Sequence, residues 1–207
     1  MRRGALLVVL ASACTPVSQP PTAARRLPEI AWIRSEKLDL DLQEFVLRAH
    51  DQDLVFPFRV KLAAPLEQAE IDRLAARGIV FEGEGTDLVA LAQPRQVEAF
   101  VDSEKVTSAS CATPDVAAPT SDEWREKVDP DVRIVYAANS SCWFGVRLGF
   151  GTVVTTAVRE ALEQLGARID TFDGRSSVAF VPVRAIPAIA GLEYVSAIVP
   201  SSRELQP

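Results

Sequence analysis

The stretch Glu36-Lys37-Leu38-Asp39-Leu40-Asp41-Leu42, EKLDLDL, returns ninety residues later as Glu126-Lys127-Val128-Asp129-Pro130-Asp131-Val132, EKVDPDV. Four of the seven positions are identical, and two more exchange Leu for Val. A phrase that recurs with its charges and its apolar positions in step points to a repeated unit rather than to a repeated peptide.

The sequence after each phrase extends the match. Phe58-Arg59-Val60-Lys61-Leu62 lines up with Phe144-Gly145-Val146-Arg147-Leu148, a separation of 86 residues. Both alternate side-chain character with the period of a half-buried strand. A helix is predicted next in each copy. In the first, Pro65 occupies the first turn, and Ile71, Leu74 and Ala75 form the apolar stripe. In the second, Val158, Ala161, Leu162 and Leu165 do so behind Thr155 or Thr156 as N-cap. Gly78 and Gly166 follow as C′ residues, where a left-handed backbone favours glycine.

Each copy then turns a hairpin, at Gly83 to Asp87 in the first and at Asp173-Gly174 in the second. A short second helix follows, carried by Val97, Phe100 and Val101 or by Ile186, Ile189 and Ala190. A closing strand ends each copy, near Val106 or over Val195 to Val199. The lead-in Leu38 to His50 is expected to be helical from Leu42, and Asp129-Pro130 starts a matching turn. Each unit therefore reads β-α-β-β-α-β. The expected fold class is α+β, two tandem ferredoxin-like domains over 31–110 and 122–200, joined by a linker at 111–121 and followed by a tail at 201–207.

The chain opens MRRGALLVVLASAC. Arg2 and Arg3 precede an apolar or small-residue run too short to span a bilayer, which suits the core of a secretory signal over 1–13. Leu10-Ala11-Ser12-Ala13-Cys14 resembles a bacterial lipobox, with Ala11 where Leu is usual. The resemblance implies lipidation at Cys14, a flexible tether over 14–30 and a bacterial cell-envelope address. Thr15, not Asp, after the Cys implies the outer membrane if the cell is Gram-negative. An ordinary cleaved signal with an incidental cysteine is the competing reading.

The 207 residues are 48% hydrophobic and carry a formal charge of −6. An acidic chain without a Lys/Arg cluster does not suit nucleic-acid binding, which rests on phosphate neutralisation. With Cys14 lipidated, Cys111 and Cys142 are left over, to pair in an oxidising compartment or to remain two buried thiols. No metal site and no cofactor are expected: His50 is the single imidazole, and there is no C-x-x-C or glycine-rich phosphate loop. His50 in RAHDQD reads as a solvated helix end, the neighbouring Asp51 and Asp53 as a loop, and Glu82, Glu84 and Asp87 as a polar hairpin tip. Trp32 and Trp124 each precede the repeated phrase and read as packing residues. With Trp143 they are also candidate partner anchors.

The strand FRVKL, the helix end LEQLGARI, the strand SVAFVPV and the closing AIPAIAGLEYVSAIVP together resemble the subtilisin-propeptide family of inhibitors, over residues 36–110 and 126–200. That resemblance implies a sheet face that packs on a subtilisin-like protease, and a segment after the last strand that enters the protease cleft. No protease domain follows in this chain, so the implied action is in trans. The expected function is non-enzymatic: a protein-binding envelope lipoprotein, propeptide-like toward a protease. The alternative is a structural or assembly lipoprotein of the envelope.

Overall fold

The computed structural model describes residues 31–117 and 119–201. The expected signal peptide, Cys14, the tether and residues 202–207 of the tail lie outside the described residues. The rest forms two α+β units, each built on a four-stranded antiparallel sheet.

Unit 1 runs α1 (Leu40–Ala49), β1 (Phe56–Leu62), α2 (Gln68–Ala75), β2 (Val80–Glu82), β3 (Asp87–Ala92), α3 (Glu98–Asp102) and β4 (Val106–Cys111). Its strands lie in the order β2-β3-β1-β4. Unit 2 repeats the plan with α4 (Pro130–Ala137), β5 (Trp143–Phe150), α5 (Thr156–Gln164), β6 (Arg168–Asp173), β7 (Ser176–Pro182), α6 (Ile186–Gly191) and β8 (Val195–Pro200), in the order β6-β7-β5-β8. Along β1, Phe56, Phe58, Val60 and Leu62 are buried while Arg59 and Lys61 are exposed, so one sheet face holds the core and the other, among the described residues, is free of helices.

The repeated phrase has a specific task in both units. Leu38 makes a parallel bridge to Ala109 on the edge strand β4, and Val128 makes the same bridge to Ile198 on β8. Both bridge residues are buried. The next residue caps the helix: Asp39 accepts from the Leu42 N–H at 2.7 Å, and Asp129 from the Asp131 N–H at 2.9 Å. The lysine before the bridge reaches across the unit. Lys37 Nζ donates to the carbonyls of Val101 and Ser103 at 2.8 and 2.7 Å, and Lys127 Nζ to that of Leu192 at 3.1 Å. One heptad thus covers a sheet edge, starts a helix and ties down the turn before the last strand.

The bridges also correct the alignment of the first strands. Val60 and Leu148 pair with the bridged residues Ala109 and Ile198, and both β1 and β5 shift register one residue later. The true separation is therefore 88 residues, which matches Phe56 to Phe144 and Leu62 to Phe150. The expected separation of 86 is two residues out. A slip of two preserves which residues face the core, so the polarity pattern cannot detect it.

Three local expectations also move. The lead-in helix begins at Leu40. Pro65 precedes α2, which starts behind Glu67 in a capping box with Glu70. Cys111 belongs to β4 instead of the linker. Gly78 and Gly166 end their helices at φ +82° and +85°.

Burial raises the pKa of the Asp39 carboxyl. The Leu42 N–H opposes that rise, and the neighbouring Asp41 adds to it. An acid whose folded pKa is raised favours folding while protonated, and that contribution is lost as pH rises through the folded value. Asp39→Asn keeps a capping oxygen without the charge. This variant is expected to gain stability over the parent as pH rises through the aspartate range, and to converge with it below. Urea unfolding between pH 3 and pH 7 checks this.

Candidate protein-interaction surface

Side chains on opposite faces of sheet 2 serve different cores. Phe144, Val146 and Leu148 on β5, with Ala179 and Val181 on β7, point into unit 2. Trp143 and Phe180 point to the other face and belong to the core of unit 1. There Phe45 of α1 lies 5.5 Å from Trp143 and 6.2 Å from Phe180, centroid to centroid. Phe56 of β1 lies 5.2 and 5.6 Å from the same two rings. Phe45 and Phe56 meet edge-on at 4.8 Å. All four rings are buried. One corner of the helix-free face of sheet 2 is therefore roofed by unit 1.

Polar contacts frame this joint. Asp41 accepts from both the N–H and the hydroxyl of Ser141, at 2.6 and 2.7 Å. The Thr113 hydroxyl donates to the Ser141 carbonyl at 2.9 Å, and Trp143 Nε1 to the Gly166 carbonyl at 3.1 Å. The Arg48 guanidinium sits 5.8 Å from the Phe144 ring centroid. Gly166 has no room for a side chain: a Cβ would lie 2.6 Å from Pro114 Cγ. Cys111 and Cys142 meet beside these contacts as a disulfide, with Cα atoms 5.2 Å apart.

The matching face of sheet 1 is open. Pro57, Val89 and Leu91 are half-buried, while Val55 and Val80 are 45% and 55% exposed. Together they make an apolar patch at one end of the face. Arg59, Lys61, Asp87 and Glu82 occupy the other end, with Arg59 and Asp87 3.8 Å apart.

The remaining candidates fall elsewhere. His50 half-buries at the end of α1, with Nδ1 3.3 Å from Asp51. Asp53 pairs with Arg95 at 2.9 Å. Glu82 and Glu84 are exposed around the β2–β3 turn, and Asp87 opens β3. Trp124 is buried in unit 2 against Tyr136, and Trp32 is half-buried against the core of unit 1. The structure gives Trp143 a partner, but that partner is the other half of the same chain. A shallow depression of about 280 Å³ at the start of α5 contains Arg159, which pairs with Glu163 at 2.8 Å and stacks on Phe172.

Among the described residues no cluster of three or more metal-ligating side chains occurs, and no helix is long and apolar enough to cross a membrane. Neither Phe45 nor Asp41 stands out in sequence as a joint residue, because an apolar helix position reads as local core and an acid in a first helical turn reads as dipole complement. No family model, curated protein or solved structure matches this chain.

Phe45→Ala removes the ring shared by both cores and is expected to cost about 3–5 kcal/mol in urea unfolding. Replacing both Cys111 and Cys142 with Ala is expected to cost roughly 3–4 kcal/mol on the loop-entropy model. Thiol labelling of the unaltered, oxidised protein should find neither sulfur free, with or without denaturant. Two reactive thiols in denaturant would contradict the bond.

Proposed function

We propose that this chain is a non-enzymatic protein-binding module of the bacterial cell envelope, held to the membrane through lipid on Cys14. In the Gram-negative case the membrane is the outer one. The observation that carries the binding role is the open apolar patch on the helix-free face of sheet 1, at Val55, Pro57, Val80, Val89 and Leu91. Contiguous apolar patches on a protein surface can mark interaction sites. In this reading each unit is a ferredoxin-like domain. The strand order β2-β3-β1-β4 with its two intervening helices supports that assignment, and unit 2 has the same order.

The partner in this proposal is a subtilisin-like protease, bound in the manner of a propeptide and in trans. The corresponding face of unit 2 is taken at one corner by Phe45 and Phe56, which favours unit 1 as the docking unit. Pro200 and Ser201 lead toward the tail. The Ser201 N–H donates to the Gly145 carbonyl at 3.0 Å, which carries the β8–β5 ladder one residue past the strand.

The protein from residue 15 to 207, titrated against subtilisin-like proteases of its own envelope, is expected to bind one of them saturably and to slow its peptide hydrolysis. Val89→Asp on the open face is expected to weaken that binding at least tenfold, a loss on the order of 1.4 kcal/mol, with an unchanged melting temperature. An intact protein that neither binds nor slows any of them removes the protease from the proposal.

A further inference from the structure

The helix-free faces of the two sheets differ in charge at matching ladder positions. In unit 1 one row across the sheet runs Glu82, Val89, Arg59 and Ser110, and the next sets Asp87 against Lys61. The matching rows of unit 2 run Thr171, Val178, Arg147 and Val199, then Ser176 against Gly149. Unit 2 thus carries the same arginine, but hydroxyl residues where unit 1 has its two acids and glycine where unit 1 has lysine. Arg59 has Asp87 3.8 Å away. Arg147 is exposed and forms no ion pair with any described residue. Asp173, the acid at a ladder position of this face, stands opposite Ser176, two strands and one row from Arg147. Arg168, opposite Phe180 on the same face, has a buried Nε without a hydrogen-bond partner.

We propose that the part of this face outside the joint docks an acidic segment of a partner protein, with a glutamate or aspartate carboxylate on the Arg147 guanidinium and aliphatic side chains on Val178 and Val199. Charge selects the acid. A guanidinium offers a carboxylate two parallel N–H donors, and Gly149, the next residue of β5 on this face, puts no side chain beside them. A basic segment meets like charge in the same place.

The valines select a protein segment over a free anion. Val178 and Val199 flank Arg147 on the two neighbouring strands, and both are half-buried. A small anion on an open sheet meets one charge and the solvent around it. A peptide that covers the valines excludes water from the ion pair and so strengthens it. Unit 1 supplies the contrast within the same molecule: at the matching row Arg59 faces its own Asp87, and the strand position of Val199 holds Ser110.

This inference rests on the reading of the chain as a protein-binding module and adds a contact on unit 2. The probes are two short labelled peptides with valine on either side of a central residue, glutamate in one and glutamine in the other. Each is titrated by fluorescence anisotropy into the protein from residue 15 to 207. The glutamate peptide is expected to bind about fivefold tighter, as befits an exposed charge contact. Arg147→Gln should erase that preference and Arg59→Gln should leave it, both at an unchanged melting temperature. Val178→Ser should weaken both peptides. Equal binding of the two peptides, no binding of either, or a preference that survives Arg147→Gln overturns the proposal. Sodium acetate that displaces the glutamate peptide where sodium chloride of equal concentration does not also overturns it, by making a small anion the occupant. Self-association in light scattering that disappears with Arg147→Gln overturns it as well, by placing a second copy on the face. A preserved peptide preference without protease inhibition removes the protease and leaves the acidic-segment site standing.

Discussion

The fold depends on Phe45 and Phe56 meeting Trp143 and Phe180. The core of unit 1 does not close on its own residues: Cys142, Trp143 and Phe180 of unit 2 are part of it. A buried aromatic side chain removes roughly 200 Å² from water, which is worth about 5 kcal/mol as an upper figure. Part of that burial comes from the other unit, and it adds to the roughly 3–4 kcal/mol of the neighbouring disulfide. The disulfide lies beside this shared core and adds a covalent link between the two units. Unit 2, by contrast, has a core of its own drawn from β5, β7, α5 and α6.

The two copies agree where residues make the unit and differ where they make the joint. The bridge, the helix cap and the lysine tie of the repeated phrase are kept in both. Phe56 and Phe144 are the same residue at the same ladder position. Asp41 and Asp131 are also the same residue, yet only Asp41 has a Ser141 to bind. Phe45 matches Val135, Trp143 matches Val55, and Phe180 matches Leu91. The asymmetry of the molecule resides in a few side chains on a shared backbone plan.

Much of that plan is legible in the sequence, and the part that is not has a physical cause. The order of elements follows from periods of two and 3.6 residues, from Gly78 and Gly166 at positive φ, and from Thr155, whose hydroxyl caps α5 at 3.4 Å from the Val158 N–H. Counting cysteines leaves Cys111 and Cys142 either as a pair or as two buried thiols once Cys14 is set aside, and the structure joins them. The strand register does not follow, since a slip of two residues leaves every side chain on its face. The joint is also invisible: Phe45 belongs to an ordinary apolar stripe, and Trp143 on a strand gives no sign of which face it takes or what meets it. Pro65 suits a first helical turn equally well on paper. The capping box of Glu67 and Glu70 wins that place, helped by Lys105, which hydrogen-bonds Glu70 and holds its carboxyl below the usual range.

A joint that sets one face of a unit against a different face of its repeat is heterologous, and such contacts extend into open stacks unless something ends them. Here the ends differ from the middle in the residues that would carry a further contact. The outer corner of unit 1 has valine and leucine where the joint has tryptophan and phenylalanine. The outer helix of unit 2 has valine where the joint has phenylalanine. At the position of Ser141 unit 1 carries Asp53, paired with Arg95 at 2.9 Å. Losing aromatic area weakens the apolar contact, and a carboxylate at the Ser141 position does not supply the hydroxyl donor that Asp41 uses. The same substitutions leave one apolar corner uncovered, and a tandem repeat that looks bivalent in sequence carries a single open version of that corner.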